Sequence, residues 1–492
     1  MKKTEPSLLL LPLPLPLPLL FLLLCFCSTN SSDTNHEIKN GFFFTPNTDP
    51  SLSFQPILAD PSDTFSLGFS RSAANPDALT LAVRHLSSSV HLWRAPSAAD
   101  STRPTLTFNG SLVLSDPDIG FLWSTSNAVP GDRLVLLNDS NLRIQAKDSN
   151  FPLWESFDFP TNTLVTGQNF TANETLVSDS GRFALRIAGD FFGLYADFGG
   201  DARPMYYKQT PLEAKAQIVR GAGPVYLRLS PDGFLGMYQT EAAPVDVLNF
   251  NTFNHNFAGG GKPLRRVTLE DDGNLRAYYF NGSSWVADFQ AISDRCELPS
   301  ACGPYGLCGP RGACGSLVNR TSRDSSAAVS ASGDACRGGF SILRRKGVEL
   351  PYKELMGFEK AATLEDCEGG CYKNCSCWGV VYNNVSGFCY RIDFPVQTLI
   401  KVGDERKAGY FKVKLTAEQR RKRREWIIVG AVLVGVGIVV LIGSVGLGYR
   451  VWKKRWMGRV DGLGGESRLS PGPYRNLNSS GSFSSVELSF KR

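Results

Sequence analysis

Between residues 42 and 291 apolar and polar residues alternate in short runs that are cut by Gly, Asn, Asp and Ser. A period of two puts every second side chain on one face of a strand, and the 3.6 period of a helix is almost absent here. One unit recurs: alternation, a polar turn, then alternation again. It reads Leu106-Thr-Phe-Asn-Gly-Ser-Leu-Val-Leu114, then Leu134-Val-Leu-Leu-Asn-Asp-Ser-Asn-Leu-Arg-Ile144. It returns as Tyr226-Leu-Arg-Leu-Ser-Pro-Asp-Gly-Phe-Leu235 and as Val267-Thr-Leu-Glu-Asp-Asp-Gly-Asn-Leu275. Asn-Gly and Asp-Gly supply the positive φ of tight hairpins. The pattern predicts small β-prism or barrel modules, two in succession.

Two apolar runs break this pattern. Lys2 and Lys3 precede a greasy stretch from Leu8 to Phe26, followed by small polar residues at 28–32. That order predicts a signal peptide over residues 1–28, whose Leu-Pro alternation would spoil a spanning helix. The second run, residues 426–449, holds no charge and is long enough to cross a bilayer, with Trp426, Tyr449 and Trp452 at its borders. Basic clusters flank it on both sides, so the signal peptide sets the orientation: N-terminal part outside, residues 450–492 inside. The Ser-, Gly- and Arg-rich tail reads as disordered, with Ser470 and the serines from 479 to 485 as candidate phosphorylation sites.

With 492 residues, 42% hydrophobic and 20% charged, the chain has room for several folded domains. Its formal charge of +6 invites a nucleic-acid reading. The excess is local, however. Residues 412–425 hold 7 basic and 2 acidic residues and residues 450–492 hold 9 and 3. The part outside is therefore mildly acidic, and nucleic acid is excluded as a partner.

Of 12 cysteines, Cys25 and Cys27 fall in the signal peptide. The other ten form two groups: Cys296, Cys302, Cys308, Cys314 and Cys336, then Cys367, Cys371, Cys375, Cys377 and Cys389. Zinc would want paired C-x-x-C spacings and a reducing compartment, so disulfides are preferred, with connectivity open. Thr363-Leu-Glu-Asp-Cys367 predicts a helix start with Thr363 as N-cap and Asp366 at N3. Cys367, Cys371 and Cys375 then share one helical face, and a strand follows from Cys377 to Tyr382.

Leu153-Trp-Glu-Ser-Phe-Asp-Phe-Pro-Thr-Asn-Thr-Leu-Val-Thr-Gly-Gln168 resembles the W-x-S-F-D-x-P-T-x-T-L-x-x-G-Q signature of plant bulb-type (G-type) lectin and S-locus glycoprotein ectodomains. Phe65-Ser-Leu-Gly-Phe69, Asp271-Asp-Gly-Asn-Leu-Arg276 and Cys302-Gly-Pro-Tyr-Gly-Leu-Cys308 match further landmarks in order. The second cysteine group resembles a plant PAN (plasminogen–apple–nematode) domain.

The resemblance implies a mostly β chain. It predicts a bulb-type lectin-like domain over 42–168, a second lectin-like domain over 169–291, an EGF-like module over 292–320 and an α+β PAN domain over 336–415, followed by one transmembrane helix. It implies disulfides Cys296–Cys308, Cys302–Cys314, Cys367–Cys389 and Cys371–Cys377. Cys336 and Cys375 are left, and their mutual pairing is assumed. Arg295 before Cys296 argues against a calcium-binding EGF.

The family's mannose site reads Q-x-D-x-N-x-V-x-Y. Here Asp139 and Asn141 are kept, while Leu137, Arg143 and Gln145 replace the Gln, Val and Tyr. Each lost polar partner of a sugar hydroxyl costs about 1–3 kcal/mol. Glu270, Asp272, Asn274 and Tyr278 form a looser echo. Both stretches read as hairpin turns, with Asp139 and Asn141 as a degraded carbohydrate-binding position.

Nothing in the sequence points to an enzyme. His36, His85, His91 and His255 are scattered without metal-ligand spacing, no catalytic motif occurs, and Glu270, Asp271 and Asp272 read as solvated turn acids. Many relatives are receptor kinases, but the 43 residues after the span hold no kinase motif. No cofactor or metal is expected. Sequons at Asn109, Asn138, Asn169, Asn173, Asn281, Asn319 and Asn384 predict glycosylation outside the cell. The sum is a kinase-less, receptor-like plasma-membrane glycoprotein that binds an extracellular protein, peptide or glycan and acts with a partner kinase. Small residues Ser444 and Gly448 would support helix association, including a homodimer. The alternatives are a structural link between membrane and cell wall, or a residual lectin.

Overall fold

The computed structural model describes residues 35–71, 76–96, 100–211, 225–239, 243–251, 262–317, 335–336, 340–414 and 417–460. The expected signal peptide, Asn319 and residues 461–492 of the tail lie outside these. The described residues form two compact units, residues 1–415 and 416–492.

The first unit opens with two prisms of the same topology. Each has three four-stranded antiparallel sheets. In the first prism three leader strands, Ile38–Lys39, Phe42–Phe44 and Phe54–Ala59, each donate an edge to a different sheet. The chain then completes the three sheets in reverse order, ending with Arg133–Leu136, Leu142–Gln145 and Pro152–Glu155 beside Ile38–Lys39. The second prism repeats the scheme. Its leaders are Thr163–Val165, Asn169–Phe170 and Leu176–Val177, and its last three strands are Arg265–Leu269, Leu275–Phe280 and Trp285–Gln290. Residues Thr163–Val165, counted with the first domain from the sequence, thus supply the first strand of the second prism: Leu164 pairs with Val267. That partner lies about a hundred residues away, so local pattern alone could not reveal it.

Five of the six prism sheets shift register between their third and fourth strands, at Val83/Arg84, Leu114/Ser115, Ile144/Gln145, Leu194/Tyr195 and Ala277/Tyr278. Each bulge adds twist, which wraps the sheets around a common core. In the first prism the fourth strands deliver Trp93, Trp123 and Trp154, one per sheet. Their ring centroids form a near-equilateral triangle of 6.0, 6.0 and 6.3 Å. Trp93 Nε1 donates to the Phe159 carbonyl at 2.9 Å, which satisfies the one polar group of a mostly buried ring. In the second prism Phe289 pairs with Ala277 where Trp154 pairs with Ile144.

The cysteine-rich segments do not form separate domains. Gly306–Cys308 and Cys314–Ser316 share a sheet with Leu399–Lys401 and Val348–Glu349. The EGF-like and PAN segments therefore interlock, and the Tyr305 hydroxyl donates to the Lys412 carbonyl at 2.5 Å inside their joint core. The PAN sheet orders Phe340–Lys346, Lys407–Lys414, Gly379–Asn383, Phe388–Ile392 and Phe358–Lys360. One helix, α1 (Leu364–Tyr372), packs on it. Thr363 caps α1, its Oγ1 accepting from the Asp366 N–H at 3.1 Å. The helix ends at Tyr372, so Cys375 lies beyond it and does not share the face of Cys367 and Cys371. The strand expected from Cys377 begins at Gly379.

The described residues of the second unit form one helix, α2 (Ala417–Val460). It contains the apolar span, whose described residues are exposed. Residues 450–460, expected to open a disordered tail, continue this helix; Arg and Lys are good helix formers and no proline interrupts them.

Candidate functional site

The degraded sugar position sits on the hairpin between Arg133–Leu136 and Leu142–Gln145. The Leu137 N–H donates to the Asn141 carbonyl at 3.0 Å, and Ser140 adopts φ 72° to close the turn. Asp139 is exposed, and its Oδ1 accepts from the Asn141 N–H at 2.9 Å. Asn141 is fully buried. Its Nδ2 donates to Glu155 Oε2 at 2.8 Å and its Oδ1 accepts from Ser156 Oγ at 3.2 Å. Arg143 Nε donates to the same Glu155 oxygen at 2.8 Å, and Gln145 Nε2 donates to the Asn150 carbonyl. These polar groups pin the hairpin to the neighbouring strand.

The echo in the second prism is committed in the same way. Asn274 exchanges two bonds with the Ile292 peptide, at 2.8 and 3.0 Å. Asp272 accepts from both Arg276 terminal nitrogens, at 3.1 and 2.6 Å. The Tyr278 hydroxyl donates to Glu270 Oε1 at 2.6 Å, and burial together with that bond pushes its pKa well up. Gly273, at φ 86°, lets the turn close, and its carbonyl accepts from the buried Tyr206 hydroxyl at 2.6 Å. The Arg266 guanidinium covers the Tyr278 ring at 4.0 Å. A sugar hydroxyl would have to displace these bonds, at about 1–3 kcal/mol for each group left unpaired.

Five disulfides join Cys296 to Cys308, Cys302 to Cys314, Cys336 to Cys375, Cys367 to Cys389 and Cys371 to Cys377. Cys367–Cys389 staples α1 to the sheet, Cys371–Cys377 ties it to the turn before Gly379, and Cys336–Cys375 ties the start of the PAN segment to the turn after α1. Beside α1 runs a groove of about 350 Å³, lined by Glu359, Lys360, Asp366, Gly370, Val380 and Arg391 among others. Among the described residues no group of three or more His, Cys, Asp or Glu could hold a metal ion. Asn109, Asn138, Asn169, Asn173, Asn281 and Asn384 are all exposed, Asn138 beside Asp139 in the degraded hairpin.

Sequence reasoning missed the structural role of Asn141 and Asn274. The available signal was their shared place, two residues after an aspartate and directly before a leucine that opens the next strand.

The D-mannose binding lectin family matches residues 93–182, and the PAN-like domain family matches residues 336–390. A PAN domain-containing protein of Arabidopsis thaliana is 43% identical over 460 residues, 92% of this chain and 92% of its own length. The chain belongs to the PAN domain-containing protein family. It is also similar to part of a second group of proteins. A G-type lectin S-receptor-like serine/threonine-protein kinase of Arabidopsis thaliana is 26% identical, over 82% of this chain and 52% of the kinase. The PAN domain-containing chain thus spans about half the length of that kinase. Among solved structures, the fetuin-binding two-domain lectin of Scilla campanulata is 18% identical, covering 44% of this chain and 87% of that one at a TM-score of 0.19. The lectin match at 93–182 crosses from one prism into the next, since the signature from Leu153 to Gln168 contains the junction. The matched domains are of lectin and PAN type, and with the apolar helix they describe a membrane-anchored, receptor-like protein with a ligand-binding ectodomain.

Proposed function

We propose that this protein is a receptor-like glycoprotein of the plasma membrane whose ectodomain recognises an extracellular protein, peptide or glycan, and that a partner receptor kinase carries the signal onward. The observation that carries the reading is the continuous core running from the second prism through the EGF-like segment into the PAN sheet, from Leu164 to Phe411. A shared core presents the second prism and the PAN domain as one recognition body, beside a first prism with a core of its own. The committed polar groups of Asn141 and Asn274 support a ligand other than mannose. Within the 492 residues no kinase motif occurs, which supports a partner for phosphoryl transfer.

The test is affinity purification of the full-length protein from native plant membranes after mild cross-linking, read by mass spectrometry. A co-purified receptor kinase, released or recruited by a soluble extracellular fraction, is the expected result. Retention by wall polysaccharide with no kinase partner would overturn it in favour of a wall-anchoring role.

A further inference from the structure

Helix α2 is longer than a bilayer requires. At 1.5 Å per residue its 44 residues reach about 66 Å. Residues 426–449 alone supply about 36 Å, against a hydrocarbon core of about 30 Å. The helix continues through residues 450–460 beyond the last uncharged position.

Two features coincide there. Tyr449, Trp452 and Trp456 line one face at spacings of three and four, their ring centroids 6.1 and 6.4 Å apart, and each is more than half exposed. Arg450, Lys454 and Arg455 project away from that face and Lys453 borders it. Among the described residues none of these four bases forms an ion pair, and no acid occurs between Glu425 and Asp461. For a helix near the membrane normal, the four bases start about 1.5 to 9 Å beyond Tyr449. The headgroup layer is roughly 5–8 Å thick on each side, so the bases meet the phosphates while the rings seat at the interface.

We propose that residues 449–456 bind anionic phospholipid headgroups in the leaflet facing the C-terminal tail. The proposal rests on the membrane-anchored reading. It singles out one end of the span, because the equally basic residues 420–424 are bordered only by Trp426 and carry no aromatic stack over the following turns.

The full chain is reconstituted in phosphatidylcholine bilayers containing trace spin-labelled phosphatidylserine or spin-labelled phosphatidylcholine, and the immobilised fraction of each lipid is measured. Phosphatidylserine should be favoured, with the preference falling by up to about fivefold for each base neutralised among Lys453→Gln, Lys454→Gln and Arg455→Gln. Added salt should weaken it. Neutralising Arg423 and Arg424 should leave most of it. Three results overturn the proposal: no preference in the unmodified chain, a preference indifferent to the triple substitution, or one abolished by Arg423→Gln and Arg424→Gln alone. Capture of an acidic calcium sensor by this helix without lipid preference would also overturn it, assigning the site to a protein. Extraction of the chain by alkaline carbonate would instead overturn the membrane reading beneath it.

Discussion

Arg265 Nη1 donates to Asp288 Oδ2 at 2.8 Å, with the two side chains only 1% and 3% exposed. The pair sits in the second prism, on strands separated by Leu275–Phe280. Arg265 also donates from Nε to the Pro231 carbonyl at 3.2 Å, and the Phe250 and Tyr279 rings lie within 6.0 Å of its guanidinium. An ion pair so enclosed is kept by its geometry, and removing one partner strands the other.

Asp288→Ala should therefore destabilise the ectodomain by about 3–5 kcal/mol, whereas Arg265→Met with Asp288→Leu should recover most of that loss. Urea unfolding followed by tryptophan fluorescence measures both. Equal losses in the single and double variants would contradict this account.

Asn141→Ala should lower stability by about 1–3 kcal/mol, because Glu155 and Ser156 lose a buried partner. It should not alter sugar binding. On a glycan array the unmodified protein and the variant should give the same mannose signal, at background. Mannose-specific retention that the substitution removes would restore the site.

The disulfides should differ in weight. Cys336–Cys375 closes a separation of 39 residues and Cys371–Cys377 one of 6. Chain entropy then assigns about 4 kcal/mol to the first and about 2 kcal/mol to the second. Paired serine substitutions and thermal unfolding test the ranking, and peptide mapping without reduction tests the connectivity.

Acidification should weaken the first prism. Burial holds the His85 ring below its usual value, and burial with the nearby Arg94 and Arg84 guanidiniums brings His91 down from 6.5 to about 4. The folded chain keeps both rings neutral, while the unfolded chain takes up protons near 6.5. The stability these rings contribute is therefore full above about 6.5 and falls with pH, in the case of His91 until about 4. Denaturation midpoints across that window should fall, and His85→Phe with His91→Asn should flatten the slope. An unchanged slope in the double variant would refute the assignment.

Much of this fold could be read locally. Gly110, Gly233 and Gly273 adopt the positive φ that Asn-Gly and Asp-Gly imply, since a hairpin turn depends on only a few neighbouring residues. The Thr363 cap and the uncharged span are local in the same sense. The leader strands were not legible: Thr163–Val165 is too short to announce itself, and its partner Arg265–Leu269 becomes visible only once the sheet is built. The same reason hid the meeting of Trp93, Trp123 and Trp154, which come from three different sheets.

The sequence by itself determined the β-hairpin repeats, the two groups of five cysteines, and an apolar run at residues 426–449 long enough to cross a membrane, because backbone conformation and hydropathy are properties of short segments. Tertiary structure decided where the polar atoms spend their hydrogen bonds. Asp139 and Asn141 look like a sugar site as residue types. Only the neighbouring strand, which brings Glu155 and Ser156 within 3.2 Å of the Asn141 side chain, turns them into a structural pin, because a buried amide takes the nearest partners the fold provides.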